Sequence, residues 1–433
     1  MKIQWIATTR KQAWQNASCA PGQAREVNLQ IGDERRQTWE GWGGCFNELG
    51  WMALSAVTAA QREEVLKALF DPGEGCRFNL CRLPIGASDY AAEWYSHNEN
   101  DGDLAMERFS IARDRQFLIP YIKAAQALRP DLKFFASPWS PPTWMKFPRA
   151  YNYGTLRWTP EILRAYALYF VKFVEAYRQE GIRISQIHPQ NEPVADQKFP
   201  SCLWTGTQLR DFIRDHLGPA FAQHGLDCEI WLGTLNTDDY DGFVNAVLAD
   251  PAANRFISGV GLQWAGKGMA QRVNAAWPGK KLMQTENECG DGNNTWEYAQ
   301  HVFNLVHHYA INGAQAYVYW NMALAPTGLS TWGWRQNAMV TVDPQSGQVT
   351  YNPEFYVMKH FSRFIAPGAV RLETKGPLSA NAVAFENPDD SRVVVVANPL
   401  KTERPCVLGE GQGAAALLLK PESFNTVVLP GKG

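Results

Sequence analysis

The feature that most constrains the fold of this chain is an alternation of short apolar runs with amphipathic segments, repeated eight times. The runs have the length of buried strands, and the segments between them have the three- and four-residue apolar spacing of helices. Eight strand-helix units predict a parallel sheet that closes into a (β/α)8 TIM barrel. An open, doubly wound sheet is the alternative, but no glycine fingerprint of a nucleotide-binding turn supports it. The predicted strands are 41–46, 77–85, 132–137, 184–187, 228–233, 257–264, 281–285 and 314–320.

Helical spacing is clearest in two of the segments between predicted strands. Leu163, Phe170 and Tyr177 recur at seven-residue intervals and form one apolar face with the residues between them. The segment 298–309 repeats this pattern, and Gly313 follows it where a left-handed residue would end a helix. Further helices are expected at 53–70, 116–128, 209–221, 243–248 and 355–364.

The two ends of the chain have the alternating pattern of half-buried strands instead. The first forty residues are too few to close a sheet alone, so we expect them to join the strands that follow Pro367. The chain is therefore expected to contain a barrel at 41–365 and a side β-sandwich domain built from both termini, 1–40 and 366–433. The later sandwich strands are predicted at 382–385, 392–397, 414–419 and 425–429.

Composition excludes several classes of partner. The formal net charge is −2, which gives no basic excess for binding nucleic acid. No window of about 18 apolar residues predicts a membrane span, and the amino terminus lacks the apolar core of a signal peptide. We therefore expect a cytoplasmic protein, or a secreted one if a leader has been removed. The eight cysteines have no metal-site spacing, so neither a metal nor a cofactor is predicted, and oligomeric state stays open.

Two carboxylates follow predicted strands on the same side of the barrel. Glu192 comes after the fourth strand, which should end near it because Pro193 cannot donate to a continuing ladder, and Glu286 ends the seventh. The carboxyl ends of barrel strands share one face, where active sites lie. A single glutamate there is more often a capping or salt-bridging residue, but a pair defines a chemistry. Glycoside hydrolysis uses one protonated acid and one ionised carboxylate, which lie about 5–5.5 Å apart in retaining enzymes.

The residue types near these carboxylates are suited to a sugar. Asn191 directly precedes Glu192 and could donate a hydrogen bond to a hydroxyl beside the scissile bond. The chain also has 17 Trp and 15 Tyr, more than a core requires, and such rings stack on sugars. We therefore expect a carbohydrate substrate.

Four motifs, taken in order along the chain, resemble glycoside hydrolase family 30, the glucocerebrosidase-like enzymes. They are Gly41-Trp42-Gly43-Gly44, the string SPWSPPTWMK at 137–146, Asn191-Glu192-Pro193, and Thr285-Glu286. Asn-Glu-Pro alone is common among retaining barrels, but the four together are specific and span nearly the whole chain. The resemblance implies the barrel and side sandwich, a two-step retaining mechanism, Glu192 as the acid/base and Glu286 as the nucleophile.

The resemblance also implies residues that bind the sugar. Arg82 and Asp89 match the pair that holds sugar hydroxyls at the nonreducing end, although without the family match a structural ion pair at the barrel rim would be favoured. Trp139 and Trp320 match the aromatic walls of the site.

The chain departs from the family pattern at two places. Where glucocerebrosidases have a His-Trp-Tyr run, this chain has Gln263-Trp264-Ala265, which resembles members of the family that act on β-1,6-linked glucans. Trp264 is expected to contact the sugar. A small residue usually follows the family nucleophile, whereas Asn287 and Glu288 follow Glu286 here, which makes Glu288 a rival nucleophile.

The expected function is hydrolysis of β-D-glucosidic bonds with retention, with β-1,6-linked glucan or a gluco-oligosaccharide as substrate. Trp204, Trp332 and Trp334 are expected to form a further sugar platform in loops at strand ends. The alternatives are glucosylceramide, a β-xyloside or a β-fucoside as substrate on the same scaffold, and a non-catalytic carbohydrate-binding protein. Exo or endo action stays open, since it depends on loops such as 151–158.

Overall fold

The structure is a computed structural model that describes residues 3–18, 20–21, 26–410 and 413–431. Within these residues a closed barrel of eight parallel strands forms the centre of the molecule. The ring closes where the last strand pairs with the first, with Tyr317 opposite Trp42. The predicted barrel is confirmed, and the open-sheet alternative is wrong. The strands are β1 (Gly41–Cys45), β2 (Leu80–Pro84), β3 (Lys133–Ser137), β4 (Ile184–Ile187), β5 (Glu229–Leu235), β6 (Ile257–Gln263), β7 (Lys281–Glu286) and β8 (Ala316–Asn321).

Helices connect the barrel strands. The predicted helix at 53–70 is two helices, because the Thr58 side chain accepts from the Gln61 backbone N–H and begins a new helix there. The helix Ala270–Ala276, between β6 and β7, was not predicted. No helix in the described ranges is long and apolar enough to cross a membrane. The α- and π-helices are Glu48–Ser55, Ala59–Phe70, Leu118–Leu128, Pro160–Gln179, Gly206–Phe212, Ile213–Leu217, Gly218–Gln223, Tyr240–Asn245, Ala246–Leu248, Pro251–Asn254, Ala270–Ala276, Trp296–Ile311 and Pro353–Ser362.

A ten-stranded sheet lies beside the barrel and contains strands from both ends of the chain. Gln4–Thr9 pairs antiparallel with Ser423–Leu429, and Leu29–Thr38 pairs antiparallel with Val370–Lys375. The side β-sandwich built from both termini is therefore confirmed, although the strands Val370–Lys375 and Arg404–Glu410 were not predicted. The ten strands are Gln4–Thr9, Gln15–Ala17, Ala20–Pro21, Leu29–Thr38, Val370–Lys375, Ala382–Glu386, Arg392–Asn398, Arg404–Glu410, Gly413–Leu419 and Ser423–Leu429.

The strand Arg392–Asn398 shows how this sheet packs on the barrel. Val393 and Val395 belong to the core shared with the barrel helices, whereas Val394 and Val396 belong to the interior of the sandwich. Both faces are buried, which explains an uninterrupted apolar run where a half-exposed strand would alternate. Burial of each valine contributes about 1.5–3 kcal/mol, so the sandwich stabilises the barrel that it covers.

The loops that follow β3 and β8 contain small sheets of their own. The strands are Lys146–Phe147 with Thr155–Leu156 after β3, and Ala323–Leu324, Val340–Val342 and Val349–Tyr351 after β8. A bridge between Asn152 and Pro200 joins the hairpin after β3 to the loop after β4. These loops lie at the carboxyl ends of the barrel strands, beside the predicted site.

Candidate active site

A small cavity lies at the carboxyl ends of the barrel strands. It is narrow, and its free space of about 220 Å³ includes the open mouth. Six of the eight predicted site residues line it, namely Asp89, Trp139, Asn191, Glu192, Trp264 and Glu286. The other two, Arg82 and Trp320, are not part of the lining. Phe199, Cys289 and Gln336 also line the cavity and were not predicted.

Glu286 is the last residue of β7, where the parallel register places it opposite Gln263 of β6. Its side chain is buried and is held by three donors. Oε2 accepts from Arg82 Nη1 at 2.7 Å and from Gln263 Nε2 at 3.3 Å, and Oε1 accepts from Trp264 Nε1 at 3.2 Å. The donors come from β2, from the end of β6 and from the residue after it, so closure of the barrel is what brings them to one carboxylate.

Arg82 lies within β2 and is completely buried, at 0% exposure. Its guanidinium donates to Asn191 Oδ1 at 2.6 Å, in addition to Glu286, and lies 4.5 Å from the centre of the Trp139 ring. The ion pair of Arg82 is therefore with Glu286. The structural pairing with Asp89 that sequence reasoning weighed is not found among the described residues. Arg82 supports the carboxylate and the amide from behind the cavity wall.

Glu192 lies in the loop after β4, beyond the strand. The strand has the predicted bounds, Ile184–Ile187, but Glu192 lies five residues beyond its end, so the expectation that the strand stops near Glu192 is wrong. The backbone of Glu192 has a φ of 50°, in the left-handed region, and its N–H donates to the Thr234 carbonyl at 3.0 Å. Non-glycine residues in this region cost about 1–2 kcal/mol, so the surrounding contacts must hold this conformation. The strained turn directs the carboxyl into the cavity.

The Gln263 side chain joins the two carboxylates. Its Nε2 lies 3.1 Å from Glu192 Oε1 and 3.3 Å from Glu286 Oε2. These oxygens are therefore no farther apart than the sum of the two distances, about 6.4 Å. Nε2 also lies 3.1 Å from Asn191 Oδ1. Sequence reasoning named Gln263 only as a departure from the family, although its place at the end of the sixth predicted strand was a signal that it faces the site.

Burial raises the pKa of both carboxyls, but their partners differ. For Glu192, burial and then the negative charge of Glu286 raise the pKa to about 8, and Gln263 opposes this rise. For Glu286, burial also raises the pKa, whereas Arg82, Trp264 and Gln263 all oppose the rise. Because donors and a cation favour the charged form, Glu286 is the carboxyl that ionises first. The arrangement therefore favours one protonated and one ionised carboxyl.

Comparison with known proteins identifies the family. The family model of the glycosyl hydrolase family 30 TIM-barrel domain matches residues 39–365, and that of the glycosyl hydrolase family 30 beta sandwich domain matches residues 368–427. The chain belongs to glycoside hydrolase family 30. Glycoside hydrolysis is the chemistry of this family, and a carbohydrate is its substrate.

Relatives of this family 30 hydrolase differ in their named activities. The lysosomal acid glucosylceramidase of Mus musculus is 28% identical over 413 residues, which cover 87% of this chain and 78% of the relative. The endo-1,6-beta-D-glucanase of Neurospora crassa is 29% identical over 440 residues, which cover 95% and 90%. Among solved structures, SrfJ from Salmonella typhimurium superimposes with a TM-score of 0.91 at 27% identity, covering 100% of each chain.

Asp89 gives the family 30 cavity a buried acceptor. The side chain is 5% exposed, and Oδ2 accepts from Gln336 Nε2 at 3.4 Å. Oδ1 has no hydrogen-bond partner among the described residues. Burial raises the pKa of Asp89 to about 8. A buried oxygen without a partner is costly, so this position is suited to a hydroxyl donor that arrives with the ligand.

Aromatic rings form the walls of the family 30 cavity in two layers. Trp139 and Trp264 line the cavity, whereas Trp320 packs behind Trp139 with 5.4 Å between ring centres. Trp334 lines the rim and contacts Trp332 at 5.2 Å.

Trp204 does not share that rim. It is buried, at 3% exposure, and packs on Phe212 at 5.4 Å in the core shared by the barrel and its helices. The expectation that Trp204 belongs to a sugar platform is therefore wrong.

Glu288, the rival nucleophile, is turned away from the cavity of this hydrolase. Its carboxylate pairs with Lys267 at 2.6 Å and with His301 at 2.8 Å, and it is not among the residues that line the cavity. The hydrogen bond with His301, followed by the Lys267 contact, lowers the pKa of Glu288 to about 2. Glu286 is the carboxylate of this segment that faces Glu192.

Proposed function

We propose that this family 30 hydrolase cleaves β-D-glucosidic bonds by double displacement with retention, with Glu286 as the nucleophile and Glu192 as the acid/base. The observation that carries this proposal is that one amide, Gln263 Nε2, touches both carboxylates. This contact limits the distance between the two oxygens it joins to about 6.4 Å, which is compatible with the carboxyl separation of about 5–5.5 Å in retaining enzymes.

The two roles follow from the hydrogen-bond partners. Glu286, beside the Arg82 guanidinium, supplies the ionised carboxylate. Its Oε1 accepts only from Trp264 among the described residues, so Oε1 is the freer oxygen for attack. Glu192, whose pKa burial raises to about 8, supplies the proton. Two carboxyls in one cavity acquire different roles because their surroundings separate their pKa values.

The reaction has two balanced steps. In the first, Glu286 Oε1 bonds to the anomeric carbon, the bond from that carbon to the glycosidic oxygen breaks, and Glu192 transfers its proton to the departing oxygen. In the second, ionised Glu192 takes a proton from a water molecule whose oxygen bonds to the anomeric carbon, and the ester to Glu286 breaks. Both carboxyls return to their initial protonation states, and the sugar keeps its anomeric configuration.

Binding of the sugar depends on the remaining cavity residues. Asn191 Oδ1 already accepts from Arg82, Thr234 and Gln263, which leaves its Nδ2 hydrogens for a hydroxyl next to the scissile bond. Asp89 Oδ1 accepts from a hydroxyl at the nonreducing end. Trp139 and Trp264 contact the faces of the ring. Arg82 and Trp320 act through the residues in front of them.

We infer that the substrate is a β-1,6-linked glucan or gluco-oligosaccharide. The Gln263-Trp264-Ala265 run supports this choice, and so does the similarity to the Neurospora crassa endo-1,6-beta-D-glucanase. Glucosylceramide is the second candidate, favoured by the mouse relative. We assign catalysis to 41–365 and support of the barrel to the sandwich, 1–40 and 366–433.

A substrate panel tests the proposal. Gentiobiose, laminaribiose, glucosylceramide and aryl β-glucosides, β-xylosides and β-fucosides would be offered to the full chain, with Glu286→Gln as the matched inactive control. We expect hydrolysis of gentiobiose in the wild type and covalent labelling of Glu286 by a 2-fluoro-glucoside. Failure to cleave any β-1,6 disaccharide would contradict the substrate choice, labelling elsewhere would contradict the nucleophile, and binding without turnover would indicate a non-catalytic protein.

A further inference from the structure

We propose that Lys267 and Glu288 are positioning residues, whose ion pair holds Trp264 where its indole N–H donates to the nucleophile. The proposal rests on the assignment of Glu286 as that nucleophile. It concerns the two loops that follow β6 and β7, the first of which contains the 3₁₀-helix Trp264–Met269. It gives Glu288 a role in support of Glu286 rather than in competition with it.

Trp264 is the residue that this pair would hold. It donates from Nε1 to Glu286 Oε1 at 3.2 Å, while Arg82 and Gln263 donate to Oε2. Its indole therefore sets the direction of the oxygen that attacks. The backbone of Trp264 has a φ of 48°, a region that residues other than glycine rarely adopt. Such a conformation persists only where neighbouring contacts maintain it.

Lys267 supplies those contacts. Its Nζ donates to the Trp264 carbonyl at 3.2 Å and to Glu288 Oε1 at 2.6 Å. The other oxygen of Glu288 lies 2.8 Å from His301 Nε2, and the Lys267 carbonyl accepts from His308 Nε2 at 2.9 Å. Both histidines lie on the helix that follows β7. A continuous series of contacts therefore joins that helix, through both loops, to Trp264.

The place of this pair separates it from an ordinary surface ion pair. Exposed ion pairs contribute little to stability. Glu288, however, is only 20% exposed, and Lys267 donates to the backbone carbonyl of Trp264, which contacts the proposed nucleophile. A displacement of about 1 Å in a catalytic contact can cost on the order of 100-fold in rate. Loss of the pair is therefore expected to change the geometry of the site more than the free energy of unfolding.

Several other groups act electrostatically with Glu286, and none of them is changed in the test. They are Arg82, Asp89, Glu192 and the thiols of Cys45 and Cys289. Burial raises the pKa of Glu286, and the Trp264 N–H is one of the contacts that oppose this rise. Loss of that contact therefore raises the pKa of Glu286.

The sign of two pKa changes tests the proposal. In Lys267→Met a cation is removed, and in Glu288→Gln an anion is removed. If the pair acted only through its field, the first change would raise the pKa of Glu286 and the second would lower it. If the pair positions Trp264, both changes release the indole and both raise the pKa. Trp264→Phe gives the full effect, an increase of about one unit.

The pKa of Glu286 is read by ¹³C NMR titration of protein labelled at the glutamate carboxyl, with the signal assigned by its absence from Glu286→Gln. This readout needs no substrate, so it decides the inference even if the wild type hydrolyses none of the glycosides offered. Where hydrolysis is observed, the acid limb of kcat/KM should move to higher pH in Trp264→Phe, Lys267→Met and Glu288→Gln. Lys267→Arg should restore the wild-type limb.

The matched control is Lys420→Met, which removes the lysine of an exposed pair with Glu403 in the sandwich. It should leave the pKa of Glu286 and the pH profile as in the wild type. Increases in both Lys267→Met and Glu288→Gln support the proposal. Opposite signs in the two variants, or no change in either, would overturn it.

Discussion

The end of β7 and the loop after β4 hold the same residue type at the same depth in two different ways. Glu286 ends a regular strand and receives three donors, one of them the Arg82 guanidinium. Glu192 lies on a left-handed turn and receives one donor, from Gln263. Their exposures are 6% and 9%, so burial alone cannot separate them. The difference teaches that the hydrogen-bond partners, supplied by barrel closure, distinguish the two carboxyls and support the roles proposed for them.

The largest expected effect is the loss of activity when Glu286, the carboxylate that receives three donors, is replaced. Glu286→Gln removes the proposed nucleophile and should reduce kcat/KM by on the order of 10⁴-fold or more, because the covalent step is lost. Glu288→Gln is the matched change two residues later and should cost at most about 100-fold, because this side chain does not face the cavity and acts on the site only through the position of Trp264. Steady-state kinetics on an aryl glucoside measures both. Similar losses in the two variants would contradict the assignment of Glu286.

The strand-helix alternation was enough to predict the barrel, because each of its eight runs marks a strand by local composition alone. The sandwich was predicted less completely. Val370–Lys375 and Arg404–Glu410 carry charged residues, proline and glycine. Each pairs with a strand that follows it closely and also with Leu29–Thr38, more than 300 residues away in sequence. Local pattern has no information on such partners.

The site, like the fold, has some features that local sequence pattern predicts and others that depend on partners distant in sequence. Glu192 and Glu286 could be found because both follow strands on one face of a barrel. The contact of Gln263 with both carboxylates could not, since it depends on register between neighbouring strands. The left-handed backbone of Glu192 and of Trp264 was equally hidden, because neither residue type favours that region and only tertiary contacts impose it.

The second effect is the loss of activity when Glu192, the carboxyl that receives one donor, is replaced. The Glu192→Gln variant cannot transfer a proton to the leaving group. Its decrease in kcat/KM should therefore depend on the leaving group and reach about 10²–10⁴-fold for alkyl glucosides or gentiobiose. The leaving group of an activated aryl glucoside departs without a proton. Hydrolysis of such glucosides should therefore slow far less in the first step. A series of aryl glucosides of graded leaving-group pKa measures this dependence. An equal loss across the series would mean that Glu192 is not the acid.

A smaller effect concerns binding rather than bond cleavage. Asp89→Asn changes the side chain that carries the unpartnered acceptor Oδ1 and should raise KM by about tenfold, because one hydrogen bond to the sugar is lost. Asp238→Asn, at an exposed position after β5, is the matched control and should change neither kcat nor KM. Inhibition by glucose provides an independent measure of affinity. Unchanged KM and glucose affinity would place the sugar elsewhere.

The smallest effect is a pH dependence that separates the two raised carboxyls. Burial raises the pKa of Glu192 to about 8, so it keeps its proton below that pH and can act as the acid. Above pH 8 the acid is lost, and kcat/KM for a poor leaving group should fall about tenfold per pH unit.

Burial also raises the pKa of Asp89 to about 8, so ionisation of Asp89 could cause the same decrease in kcat/KM, the basic limb of the pH profile. The variants distinguish them: the basic limb should vanish in Glu192→Gln and persist in Asp89→Asn. The reverse result would assign the limb to substrate binding and remove the main support for Glu192 as the protonated partner.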